Sequence, residues 1–128
     1  MAPETRKPTV SELEILRILW VRGPSTVREV HEALSKKKRI GYTSVLKLMQ
    51  IMTEKGSVRR NEDQRAHVYE AHQAAEKTKR QLAGDVLQRV FDGSASQLMM
   101  HALAGRKGSR EEAEELRRLL DEYERKLP

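Results

Sequence analysis

The side chains with the clearest chemical potential are cationic. Lys36-Lys37-Lys38-Arg39 form an unbroken run, and residues 1–70 hold 14 Lys and Arg against 9 Asp and Glu, whereas residues 71–128 hold 11 against 10. The net charge of +6 is therefore concentrated in the first half of the chain. A localised positive field attracts polyanions and speeds their encounter, so nucleic acid is the natural partner, although charge alone does not separate DNA from RNA or an acidic membrane. The run is either a solvated loop or a phosphate-contacting cluster, with Lys36 and Lys38 as its candidate contacts. Other chemistry is poorly supplied. The absence of cysteine removes disulfides, thiolate metal sites and thiol nucleophiles. His31, His67, His72 and His101 are scattered, with no pair at helical ligand spacing, so structural or solvated roles are expected and no metal or cofactor is called for. Glu111, Glu112, Glu114 and Glu115 read as a solvated helix face, with Glu114 and Arg118 at i, i+4, and not as a catalytic pair. An enzyme is not expected.

The elements that must position the cations can be read from caps and periodicity. Thr9-Val10-Ser11-Glu12 has the form of a capping box, Leu13, Leu16, Leu19 and Trp20 line one face with Ile15 and Ile18 widening it, and Gly23-Pro24 is a stop. This predicts a helix from Val10 to Arg22. A second box, Thr26-Val27-Arg28-Glu29, opens a short helix with Val27, Val30 and Leu34 inward, ending in the lysine run. Thr43 or Ser44 is expected to cap a third helix, with Val45, Leu48, Met49 and Met52 as its buried stripe and Lys55-Gly56 as its end. Its other face carries Tyr42, Leu46, Lys47, Gln50 and Ile51. Val58 to Arg60 and Ala66 to Glu70, joined by Asn61-Glu62-Asp63-Gln64, read as a β-hairpin with basic residues at its tips. Three short helices followed by a hairpin is the order of a winged helix, in which one helix enters the major groove and the hairpin lies on the backbone.

Downstream, a longer helix from about Gln73 carries Leu82, Val86, Leu87, Val90 and Phe91 and breaks at Asp92-Gly93-Ser94. A shorter one presents Leu98, Met99, Ala102 and Leu103. The last opens with the capping box Ser109-Arg110-Glu111-Glu112 and sets Ala113, Leu116, Leu120, Tyr123 and Leu127 at alternating spacings of three and four, next to Leu119. Two heptads are too few for a free coiled coil but suffice for one side of a dimer interface. The expected fold is mainly α with a small β-hairpin. An N-terminal winged helix-turn-helix DNA-binding domain over residues 1–72 is followed by a C-terminal helical dimerisation region over 73–128, with Leu82, Val86, Leu98, Met99, Leu103, Leu116, Leu119, Leu120 and Tyr123 at the interface.

Gly41-Tyr42-Thr43-Ser44-Val45-Leu46 through Glu54-Lys55-Gly56, and Arg65-Ala66-His67-Val68-Tyr69, closely resemble the penicillinase-repressor family. The resemblance extends back through Ser11-Glu12-Leu13-Glu14-Ile15-Leu16 to Leu19-Trp20, and more loosely into the C-terminal helices. It implies a homodimeric repressor that binds a pseudo-palindromic operator in double-stranded DNA and is held together by its C-terminal helices. It also implies that the helix matching Thr43 to Lys55 is the recognition helix, with DNA contacts from Tyr42, Thr43, Ser44, Lys47 and Gln50, and wing contacts from Arg59, Arg60 and Arg65. Gln50 suits adenine, Lys47 guanine or a phosphate, and Leu46 is either simply exposed or set against a thymine methyl. This chain departs from the family at Ile51, where many members are basic. It also departs at His101-Ala102, which takes the position of the Asn-Phe bond cleaved in members released by a membrane sensor protease. The cysteine pairs of copper-responsive members are missing.

A winged helix that binds protein instead of DNA is the main alternative, because one fold serves several functions. An RNA-binding protein would need aromatic stacking platforms, and aromatics make up only 4% of the chain. The opening Met1 to Thr9 is polar and no run of about 18 apolar residues occurs, so a soluble, cytoplasmic protein is expected.

Overall fold

Local capping decides where the first two helices begin. The computed structural model describes residues 7–128, so the part of the polar opening before Lys7 lies outside the described residues. Helix α1 (Val10–Arg22) starts at Thr9, whose hydroxyl accepts from the Glu12 amide at 3.2 Å while the Glu12 carboxylate accepts from the Thr9 amide at 3.3 Å. The same reciprocal box, Thr26 with Glu29, opens α2 (Val27–Ser35). Helix α3 (Tyr42–Lys55) starts differently. Its N-cap is Gly41, which has no side chain to accept a first-turn amide, so the expected cap at Thr43 or Ser44 is corrected: both residues lie inside the helix. Gly56, at φ +83°, ends α3 in the left-handed conformation, and its amide bonds back to the last turn.

Two strands form the expected hairpin, β2 (Val58–Asn61) and β3 (Val68–Ala71), so the second strand starts two residues later than Ala66. A two-residue strand, β1 (Ser25–Thr26), was not expected. It pairs with β3, giving an antiparallel sheet in the order β1-β3-β2. The register sets Arg59 opposite Glu70 and Arg60 opposite Tyr69. The residues between α1 and α2 thus do two jobs, capping a helix and anchoring the wing to it.

One core serves all of these elements. Ile15, Leu16 and Leu19 of α1, Val27, Val30 and Leu34 of α2, Val45, Met49 and Met52 of α3, Val58 and Tyr69 are buried together. Leu48, expected in the stripe of α3, is only partly buried and packs on the rim of this cluster. Glu12 is buried too, at 3% exposure, and Lys55 Nζ reaches both of its oxygens at 2.8 and 3.0 Å. This charge pair ties the start of α1 to the end of α3. Removing one partner would strand the other charge in a poorly solvated position, a loss of about 3–5 kcal/mol for a buried pair. The Trp20 indole donates to the Gln73 carbonyl at 2.9 Å, holding the chain after β3 against α1.

Helix α4 (Ala75–Phe91) begins in a compact unit that ends at Ala83 and runs into a second that begins at Gly84. Within the second unit α4 stops at Asp92-Gly93, Ser94 caps α5 (Ala95–Leu103), and Ser109 caps α6 (Arg110–Arg125). The Ser109 box is half formed: its hydroxyl accepts from the Glu112 amide, while the Glu112 carboxylate takes the Arg106 guanidinium instead. No residue of α5 or α6 is buried. The architecture is the expected one, mainly helical with a small antiparallel sheet, a winged helix followed by a helical C-terminus. Among the described residues no helix is long and apolar enough to cross a membrane.

Candidate nucleic-acid interface

Helix α3 divides cleanly by face. Val45, Met49 and Met52 anchor it in the core, while Tyr42, Thr43, Ser44, Lys47 and Gln50 are exposed. Fourteen residues make a rod of about 21 Å, and a major groove about 12 Å wide admits such a helix. Thr43, Ser44, Lys47 and Gln50 have no side-chain partner among the described residues, so their donors and acceptors are available to an incoming ligand. The first turn contains no acidic residue and no side-chain cap. Its amides and the positive end of the helix dipole therefore remain open to anions such as phosphate. Leu46 turns toward the wing, half-buried against the core rim.

The hairpin cations are not equivalent. Arg59 is exposed but paired with its cross-strand partner Glu70 at 3.2 Å, and Arg60 contacts Glu62 at 3.0 Å. A hydrogen bond to Tyr69, reinforced by the Glu62 charge, holds the Arg60 guanidinium above its ordinary pKa. Arg65, in the loop between the strands, is exposed and has no ion-pair partner among the described residues. The lysine run divides in the same way. Lys38 is committed to Glu14 at 2.7 Å, whereas Lys36 and Lys37 are exposed and border a cleft of about 390 Å³ between α1 and α2, with Arg17 on its wall.

The structure gathers Tyr42, Leu46 and Arg65 around one groove of about 430 Å³ between α3 and the wing. Two further residues line it that the sequence reading did not single out for this role, Arg28 and His67. Arg28 is exposed on the first turn of α2 and unpaired among the described residues. Its one visible signal is a cation inside the Thr26–Glu29 capping box, on the first turn of α2. Arg59 and Arg60 face a separate cleft with Asn61, Glu62 and Asp63, and the lysine run lies apart from both.

The residues expected at a dimer interface all lie on α4, α5 and α6. Leu82, Leu98 and Leu116 are half-buried, while Val86, Met99, Leu103, Leu119, Leu120 and Tyr123 are exposed, the last two at 60% and 64%. His101 stacks obliquely on Phe91, ring centroids 5.6 Å apart. Among the described residues no three of His, Asp and Glu converge as a metal site requires.

Two comparisons bear on this arrangement. The chain matches the penicillinase repressor family over residues 8–122. It is also similar to the transcriptional regulator BlaI of Mycobacterium tuberculosis, in strains CDC 1551 / Oshkosh and ATCC 25618 / H37Rv. Identity to each is 35% over 114 residues, covering 88% of this chain and 82% of the relative.

Proposed function

Because the chain belongs to the penicillinase repressor family, we propose that it is a transcriptional repressor that grips a pseudo-palindromic operator as a homodimer. Helix α3 lies in the major groove and the hairpin rests on the backbone. The observation that carries this reading is the solvent face of α3, where Thr43, Ser44, Lys47 and Gln50 stand exposed and unpaired on a helix held by the core. Gln50 pairs with adenine through its amide, and Lys47 reaches guanine or a phosphate. Half-buried Leu46 offers at most an apolar edge to a thymine methyl. Tyr42, Arg65 and Arg28 around the groove, with Arg59, Arg60, Lys36 and the partly committed Lys38, serve as backbone contacts, which orient the protein without reading sequence.

Residues 1–72 act as the DNA-binding domain and 73–128 as the dimerisation domain, through Leu82, Val86, Leu98, Met99, Leu103, Leu116, Leu119, Leu120 and Tyr123. Occupation of the operator excludes the transcription machinery, and a cytoplasmic site of action follows from that role. Release by a membrane sensor protease is disfavoured, because His101-Ala102 takes the position of the Asn-Phe bond cleaved in members released that way. The test is selection of bound sites from a random duplex pool. Enrichment of two inverted half-sites centred about one helical turn, or a multiple of it, apart is expected. A single unpaired motif would overturn the dimer. Absence of duplex binding at both low and moderate salt would favour a protein-interaction module instead.

A further inference from the structure

Helices α1, α2 and α6 begin at a Thr or Ser whose hydroxyl accepts a first-turn amide, while α3 begins at Gly41, which has no such group. Something else must hold the entry to the helix that reads sequence, because an uncapped first turn frays. The contact is made from the preceding helix. His31, on the second turn of α2, is half-buried, and its Nε2 lies 2.8 Å from the carbonyl oxygen of Ile40, the residue just before the Gly41 cap. A carbonyl only accepts, so Nε2 carries the proton and donates. The Ser35 hydroxyl, one turn further along α2, lies 3.2 Å from the same nitrogen and shares that proton. The His31 ring also meets the Tyr42 ring nearly perpendicularly, at 83° with centroids 5.9 Å apart, in the edge-to-face arrangement aromatic pairs favour. One side chain thus grips the residue before the cap and the residue after it.

We propose that His31 is a positioning residue for operator recognition, a brace supplied from α2 that sets where the first turn of α3 points and so where Thr43 and Ser44 meet the base edges and Tyr42 the backbone. This rests on the reading of α3 as the recognition helix. Leaving the first turn without its own capping side chain keeps its amides open toward the DNA, and His31 restores the lost order from behind.

The test uses the full-length dimer, its selected operator and a scrambled duplex of the same length, measured at one salt concentration. His31→Ala is expected to lower operator affinity by about tenfold, the usual consequence of losing a hydrogen bond worth about 1–1.5 kcal/mol, and to leave scrambled-duplex affinity within about twofold. His31→Gln, which keeps a donor for the Ile40 carbonyl, should recover most of the operator preference. His31→Phe, which keeps only the ring, should not. Independently of DNA, exchange of the Val45 amide, which bonds to the Gly41 carbonyl at 3.2 Å, should accelerate in His31→Ala and His31→Phe. Equal losses for operator and scrambled duplex, unchanged amide exchange, or an operator preference in His31→Phe matching that of His31→Gln would each overturn the proposal. Should His31→Ala fail to fold, the comparison of His31→Gln with His31→Phe decides alone. Failure of the recognition-helix reading itself looks different: the wild-type protein would then show no preference between the two duplexes.

Discussion

In the unit that ends at Ala83, eleven apolar side chains from three helices and two strands are buried against one another, and the main polar intruder, Glu12, is neutralised by Lys55. In the unit that begins at Gly84 the balance is reversed: α5 and α6 bury nothing, and Val90, Met100, Leu119, Leu120, Tyr123 and Leu127 are each more than half exposed. Both regions are helical and capped, so the difference is not one of local structure. Helices of nine and sixteen residues are marginal alone, and exposed apolar side chains gathered on them are the surface that the proposed dimer uses. The first region is complete as one chain. In the proposed homodimer a second copy of the same surface would cover the second region.

The sharpest way to break this comparison is to charge the exposed apolar face. The double substitution Leu116→Asp, Leu120→Asp should leave a folded winged helix that runs as a monomer by light scattering. Its operator affinity should fall about 100-fold or more because the two half-sites are no longer linked. A variant that stays dimeric would show that the face is covered in some other way. Next in size is Met49→Ala, which opens a cavity in the first core. A loss of about 2–5 kcal/mol in denaturant unfolding is expected, followed by the fluorescence of Trp20, the only tryptophan, with the dimer fraction of folded protein unchanged.

Smaller effects sharpen the reading within the first region. Lys47→Ala should alter which sequences are selected, by about 1–3 kcal/mol at the base it contacts. Arg65→Ala and Arg28→Ala should instead weaken all duplexes alike and each flatten the salt dependence by about one unit. Arg59→Ala should do less than either, because Glu70 already neutralises Arg59. The smallest effect concerns acid. The Thr26 backbone amide, together with its hydroxyl and the Arg22 guanidinium, holds the Glu29 carboxyl below its ordinary value of 4.5. With the folded pKa depressed, the contribution of Glu29 is full above 4.5 and is lost as pH falls through the lower folded value. Glu29→Gln should therefore lower the melting temperature slightly at neutral pH, where the carboxylate contributes, and converge with the wild type in acid, flattening the acid limb of melting temperature against pH.

Much of the fold was legible because its signals are local. Thr9-Glu12 and Thr26-Glu29 act within four residues, Gly56 stops α3 through its own backbone, and Asp92-Gly93 breaks α4, so α1, α2 and the ends of α3 and α4 needed no tertiary information. The polar face of α3 was legible for the same reason, since a period of 3.6 separates Val45, Met49 and Met52 from Lys47 and Gln50. The start of α3 was not. Thr43 and Ser44 look like caps in isolation, but Gly41 begins the helix with His31 closing it from α2, nine residues upstream of Ile40.

What the sequence determined by itself is therefore the series of helices, the face each one hides, and the concentration of positive charge in the first half, all set by residues within a turn or two of one another. Only the tertiary structure decided which cations remain free. Lys38 is spent on Glu14 and Arg59 on Glu70, while Arg28 and Arg65 are left to border the groove beside Tyr42. It also decided that Ser25 and Thr26 form a strand, because two residues have no strand character until β3 lies beside them. Ion pairs and sheet edges join residues tens of positions apart, and no local period records which of them the fold will bring together.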